Sequence, residues 1–291
     1  MEKTVKKRRH TNAFEIICFI VLALFSFTLV FALLWAFMNT FKTHDYFMTE
    51  PLKFPKPFVF DNYVTAFNAF NVDVKGHPVY IETMLANSLM YAVGCAFLHT
   101  ASCCITAYAA ARFPFKFSKV IYAIVIVTMI LPIVGTLPAE IAMTQKLGIW
   151  QTWFGPYILK SHFLSVYFLV FYAAFQGVPK AFSEAAKIDG ANNLSILVQI
   201  MLPLVFNTFM LIILINFITF WNDYYTPLIY LKSYPTLAYG LQEFWLLTKQ
   251  DTASSTVKLA ACMIVFVPIF VLFIFFSDKL IGNISMGGIK E

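Results

Sequence analysis

Glu184, Ala185, Ala186, Lys187, Asp189 and Gly190 stand together in a half of the chain that is otherwise nearly continuous hydrophobe. Asn192, Asn193 and Ser195 follow, in a run that ends at Pro203. Ser183 is expected as a helix N-cap, and Glu184 then falls in the first turn, where the helix dipole favours an acid. Ala185 and Ala186 form helix with almost no bulk. Gly190 is expected to end or bend that helix. A second helix should follow, with Leu194, Leu197, Val198 and Met201 on one side, and Pro203 should open the next apolar run. Residues 180–203 thus read as two short helices at an angle with small residues at the tip. That shape fits a groove on another protein and an ordinary interfacial loop helix equally well.

Residues able to do covalent or metal chemistry are present without a working pattern. The sequence has no G-x-x-x-x-G-K-[ST], no H-E-x-x-H and no C-x-x-C. Cys18, Cys95, Cys103, Cys104 and Cys262 all lie in apolar runs and read as small buried hydrophobes. His99 and His162 fall in or near apolar runs and read as hydrogen-bonded packing residues. No ionisable cluster is expected at mid-membrane, where ion-coupled transport leaves its trace. No catalytic residue, cofactor or metal ligand is expected, and the chain should not be an enzyme. If it moves a solute, its energy comes from a partner.

The elements that must position these residues are set by composition. Of 291 residues, 60% are hydrophobic and 12% charged, with 33 phenylalanines. The mean hydropathy is +0.74. One aqueous core could not hide so much apolar surface, so the chain is an integral membrane protein. The net charge of +6 does not point to nucleic acid. Lys3, Lys6, Lys7, Arg8 and Arg9 precede the first apolar run as a cytoplasmic anchor does. That run, Ile16 to Met38, is too long for a cleaved signal.

A crossing helix needs about 20 apolar residues. Six segments are predicted to cross: 14–38, 85–110, 119–138, 158–176, 204–225 and 258–278. Arg112, Lys116 and Lys119 follow the second and should be cytoplasmic. Both termini and residues 180–203 then lie in the cytoplasm, while 39–80 and 226–257 lie outside. Asn87, Ser88, Gly94, His99, Thr100, Ser102 and Thr106 mark the second span as a bundle interior. Pro132, Gly135 and Pro268 mark sites of kinking or static packing. Asn207 and Asn216 are expected to hydrogen-bond between helices.

The string Glu184-Ala185-Ala186, then Gly190, Ile200 and Leu202-Pro203, resembles the E-A-A loop of permeases in binding-protein-dependent ABC importers. Ile188-Asp189-Gly190-Ala191 looks like the I-D-G-A of the carbohydrate branch. Phe60-Asp61-Asn62-Tyr63 resembles its D-N-Y element, Asn87-Ser88-Leu89 its usual opening of the second span, and Ala107-Tyr108-Ala109 with Arg112-Phe113 the end of that helix. Trp221-Asn222-Asp223 resembles a W-N-[DE] element, and Gly287-Gly288-Ile289-Lys290 a G-G-V-K tail. The likeness runs from about residue 14 to the end, and among well-known permeases the chain resembles the smaller, six-span permease of the maltose importer.

The resemblance implies an all-α membrane protein with six transmembrane helices and the type I ABC importer permease fold. It implies a basic tail at 1–13, a first span at 14–38, an external loop at 39–80, a transmembrane domain at 81–278 and a tail at 279–291. The implied partners are two copies of an ATPase, a second permease, an extracytoplasmic sugar-binding protein and a sugar, in a bacterial cell membrane. Glu184, Ala185, Ala186, Asp189, Gly190 and Pro203 would form the ATPase-coupling element. Asn87, Trp221, Asn222, Asp223 and Tyr224 would lie on the substrate path. Phe244, Trp245, Gln250 and Asp251 would meet the binding protein, although an interfacial aromatic belt would use the same residue types. A glycerol phosphate or peptide importer is the nearest alternative, and a non-transporting six-span scaffold a more distant one.

Overall fold

The computed structural model describes residues 13–113, 117–131, 134–247 and 254–284. It divides into two compact units, residues 1–69 with 248–263 and residues 70–247 with 264–291.

In the first unit, α1 (Ala13–Asn39) is an unbroken apolar helix whose one buried residue is Asn39. It is about 40 Å long against a hydrocarbon layer of roughly 30 Å. Two short helices follow, α2 (His44–Thr49) and α3 (Asp61–Ala69). Lys42 is fully buried. Its ammonium donates to the carbonyls of Glu50 (2.9 Å) and Pro51 (3.2 Å). Burial lowers its pKa, and the nearby Glu50 carboxylate opposes that shift. The D-N-Y element has a structural task here. Asn62 donates to the Thr40 and Lys42 carbonyls, both at 2.7 Å, and accepts from Thr256 at 3.3 Å. The Tyr63 hydroxyl meets that of Thr40 at 2.9 Å.

The second unit opens with a β-hairpin inside a segment expected to be loop. Strands β1 (Asn71–Val74) and β2 (His77–Tyr80) pair antiparallel, with Val74 opposite His77. Lys75 and Gly76 both have positive φ (56° and 84°), as a tight hairpin turn of two central residues requires. The Asp73 carboxylate accepts from the Gly76 N–H at 2.8 Å. A strand pair this short carries too weak an alternation to stand out in the sequence, so the all-α expectation becomes mostly helical.

Helix α4 (Ile81–Arg112) runs unbroken and is the axis of this unit. Its Cys103, Cys104 and Ala107 join one buried core with Phe168, Phe171 and Phe175 of α8 (Val166–Gly177) and Ile212 of α12 (Phe206–Trp221). Gly94 lies so close to Tyr157 that an added Cβ would sit 2.5 Å from the ring.

Two expected spans are broken, and a third is bent at its start. The 119–138 run becomes α5 (Ser118–Ile130) and α6 (Leu137–Lys146). Leu131 precedes Pro132 and takes an extended ψ of 116°, because proline excludes its predecessor from helical geometry. The 158–176 run splits between α7 (Phe154–Lys160) and α8. The 204–225 run is bent by 81° between the 193–204 segment and α12. Among the described residues, three helices are long and apolar enough to cross a membrane, or four if the bent pair counts as one span. The three are α1, α4 and α15 (Ser255–Ile284), the last with Pro268 inside it. The expected loop at 226–257 also contains α13 (Tyr225–Tyr230) and α14 (Leu237–Leu247).

Candidate functional site

The 180–203 segment folds as helix α9 (Ala181–Ile188), a turn, α10 (Asn193–Ile196), a π-helical turn (Leu197–Met201) and the single turn α11 (Leu202–Leu204). The helix starts earlier than expected. Lys180 is the N-cap, and the Ser183 hydroxyl donates back to its carbonyl at 2.9 Å. Asp189 is the C-cap through its backbone. Gly190, at φ +83°, donates to the Lys187 carbonyl (3.1 Å), and Ala191 donates to that of Ala186 (2.9 Å). These two bonds form a Schellman closure, which requires a left-handed residue where Gly190 stands. Asn192 then caps α10 by accepting from the Ser195 N–H at 2.8 Å.

The closure sorts the segment into two faces. Ala186 is buried and Ala191 packs against the same core, where their small size allows close approach. Glu184, Ala185, Asp189 and Pro203 are exposed. So are Ile188 (87%) and Leu194 (69%), apolar side chains at the tip. The second helix buries Ile196, Leu197 and Met201 and leaves Leu194 and Val198 out, which corrects the face expected for it. The cause is the π-helical turn, in which Leu202 bonds back to Leu197, five residues away, and shifts the angular register.

The expected substrate-path residues differ in burial and in their partners. Asn87 is buried and donates to the Pro235 carbonyl at 3.0 Å. Trp221 is 2% exposed, and its indole N–H meets no acceptor among the described residues. Asp223 is engaged on both oxygens. One accepts from the Tyr91 hydroxyl (2.7 Å) and lies 3.9 Å from the Lys160 ammonium, and the other accepts from the Thr226 N–H (3.0 Å). Asn222 and Tyr224 are exposed. Of the binding-protein residues, Phe244 is buried edge-on to Phe70 at 5.7 Å and Trp245 is about half exposed. Gln250 and Asp251 lie outside the described residues, as do the basic tail and the G-G-I-K tail.

Sequence reading missed a polar cluster. Tyr91, Cys95, His99 and Cys103 recur every fourth residue along α4, so they share one face. Opposite them the break between α7 and α8 brings Lys160, His162 and Ser165, and the end of α12 brings Asp223. His99 donates through Nδ1 to the Lys160 carbonyl (2.8 Å) and meets the His162 ring edge-on at 5.0 Å. The Cys103 thiol lies 3.3 Å from the Ser165 hydroxyl and donates to the His162 carbonyl at 3.8 Å. Backbone groups freed by a helix break inside an apolar layer need such partners. Among the described residues no His, Cys, Asp or Glu group of three is placed to hold a metal ion. The four-residue period on α4 was visible in the sequence, but its partners are 59 or more residues away. Asn216 does bond between helices, donating to Thr100 at 3.0 Å, whereas Asn207 is exposed.

Residues 103–285 match the sequence model of the binding-protein-dependent transport system inner membrane component. The chain belongs to that family. As a multi-pass inner-membrane permease it is similar to a probable starch degradation products transport system permease protein of Thermoanaerobacterium thermosulfurigenes, at 26% identity over 90% of this chain and 94% of the relative. It is also similar to the diacetylchitobiose uptake system permease protein of Streptomyces coelicolor, at 24% over 94% and 88%. The arabinooligosaccharides transport system permease protein AraQ of Bacillus subtilis matches at 26% over 81% and 80%. Among solved structures, the permease fold matches a chain of a bacterial ABC transporter involved in the import of the acidic polysaccharide alginate. The TM-score is 0.74 at 21% identity, over 91% of this permease and 95% of that chain. The family match takes in the whole 180–203 segment and Trp221 to Tyr224. It starts after Asn87 and Tyr91, so the polar cluster of this permease straddles its edge.

Proposed function

We propose that this permease forms half of the translocation pore of an ATP-driven importer for a sugar or oligosaccharide, and that its 180–203 segment docks on a separate ATPase. The observation that carries the coupling role is the Schellman-closed tip, which holds Ile188 and Leu194 exposed beside Glu184 on a rigid turn. Apolar side chains held out on a rigid turn beside an acid fit burial in a groove of a partner protein. The substrate class rests on the relatives, whose names carry starch products, diacetylchitobiose and arabinooligosaccharides.

Six crossings are assigned to α1, α4, α5, α7 with α8, α12 and α15, with both termini and 180–203 cytoplasmic. A second permease completes the pore, and an external binding protein delivers the cargo. On the substrate path, Asn222 and Tyr224 supply exposed polar and aromatic surface for sugar. Asn87, Trp221 and Asp223 hold the frame behind them. Phe244, Trp245, Gln250 and Asp251 are assigned to the binding-protein side.

The test is affinity purification of the tagged permease from its native membrane, beside a Glu184→Lys, Gly190→Pro double variant. An ATPase and a second permease should accompany the wild type alone. Uptake by cells expressing the transporter is then measured with labelled maltooligosaccharides, chitobiose and arabinooligosaccharides, with glycerol phosphate and a tripeptide as competitors. Uptake of either competitor in place of the sugars would overturn the substrate class.

A further inference from the structure

The segment from Lys42 to Phe60 has a feature that a pore subunit does not need. It exposes Met48, Leu52, Phe54, Phe58 and Phe60, at 59–73% each. It is also not free to turn these side chains inward, because it is pinned backbone by backbone. The Trp35 indole N–H donates to the Pro51 carbonyl at 3.0 Å. Lys42 holds the carbonyls of Glu50 and Pro51, and the Tyr46 hydroxyl donates to that of Phe54 at 3.2 Å. The Val59 N–H donates to the Phe41 carbonyl at 2.9 Å, and Phe41 gathers the rings of Phe58 and Phe60 at 6.0 and 5.3 Å.

Two consequences follow. Trp35 lies one turn inside α1, so its bond to Pro51 folds residues 50–54 back beside the last turns of that helix. Leu52 and Phe54 are exposed there, and Phe37 of α1, itself exposed, meets Phe41 edge-on at 5.1 Å, in the ring group that also holds Phe58 and Phe60. The second consequence concerns the irregular backbone. A loop in water can leave its carbonyls to the solvent, whereas irregular backbone against lipid must have them satisfied internally. Here side chains satisfy the carbonyls of residues 50, 51 and 54, one of them a fully buried lysine. Burying a lysine costs free energy, and that cost is compensated where water is not available to do the same task.

We propose that residues 48–60 form an interfacial anchor that lies in the headgroup and upper acyl layer of the membrane leaflet at the C-terminal end of α1. The aromatic rings enter the acyl boundary, and Lys56 reaches the phosphate level, with the Lys53 ammonium paired to the Glu50 carboxylate at 2.7 Å beside it. Under the orientation above, that leaflet is the outer one. The inference rests on the membrane location of α1 and not on the cargo.

The experiment uses the full chain, with whatever partners copurify, in nanodiscs of phosphatidylcholine and phosphatidylglycerol. Cys18 and Cys262 are changed to Ala, the other three cysteines being buried. Leu52→Cys and Phe54→Cys are labelled separately with an environment-sensitive fluorophore. Both side chains are exposed, so neither variant removes a core contact. The expected result is blue-shifted emission at both sites, quenched at least twofold by lipids spin-labelled near the headgroup and little by iodide. Solvent-like emission quenched by iodide would overturn the proposal. Emission shielded from both quenchers would also overturn it, by showing that a protein partner covers the segment.

Discussion

The Tyr91 hydroxyl donates to the Asp223 carboxylate at 2.7 Å, across 132 residues of sequence. That bond fastens the first third of α4 to the outgoing end of α12 and places Asp223 within 3.9 Å of Lys160. Hydrogen bonds to charged groups contribute about 1.5–3 kcal/mol. Tyr91→Phe is therefore expected to lower the melting temperature of the purified permease by a few degrees. A double-mutant cycle with Asp223→Asn, read by thermal unfolding in detergent, should give a coupling of about 1–2 kcal/mol. Additive losses would mean that the pair carries no energy.

Gly190 should separate coupling from insertion. Gly190→Ala meets open space but must hold a φ of +83°, a strain of about 1 kcal/mol. Gly190→Pro cannot reach that φ and loses the N–H that closes the turn. Membrane levels should be unchanged in both, while sugar-stimulated ATP hydrolysis falls modestly in the first and is abolished in the second. Normal uptake in the proline variant would remove the coupling role from the segment.

Close packing at Gly94 gives a steric prediction. A methyl group there would force the Tyr157 ring away and break its hydroxyl's bond to the Met90 carbonyl. Gly94→Ala should cost about 1–3 kcal/mol. Tyr157→Leu should restore much of the loss in the double variant, whereas Tyr157→Phe should not, because the ring remains. Thermal unfolding of the four proteins checks this.

Asn216 and Thr100 test a polar contact between helices. Both are buried and bond only at 3.0 Å across α12 and α4. Such bonds in membrane proteins average about 0.6 kcal/mol. Asn216→Ala should therefore shift stability by no more than about 1.5 kcal/mol. A larger loss, seen in the same unfolding assay, would mean that Asn216 serves more than this bond.

The local signals in the sequence were readable where chemistry is local. Gly190 ends its helix because a left-handed residue is needed there, and only a glycine in that place gives the closure without strain. The long apolar helices α1, α4 and α15 were readable because length and hydropathy alone decide them. The break at Leu131 was signalled by Pro132, but those at Lys160 and Val205 were not. Apolar composition continues through them, and what stabilises a break is a partner elsewhere, such as His99 for the Lys160 carbonyl. The polar cluster was hidden for the same reason. Asp223 reads as a ligand while its engagement by Tyr91 is unknown, and the D-N-Y element reads as a signature while Asn62 in fact clamps two carbonyls.

The 81° bend at Val205 turns the segment into a crank. The short arm, residues 193–204, and the long arm, α12, meet almost at a right angle. A push along the short arm therefore hardly stretches or shortens the long one, and instead carries its foot sideways. Because Ile212, Asn216 and Asp223 fasten the long arm to its neighbours along most of its length, such a step would be taken up at the foot, between Val205 and Ile212.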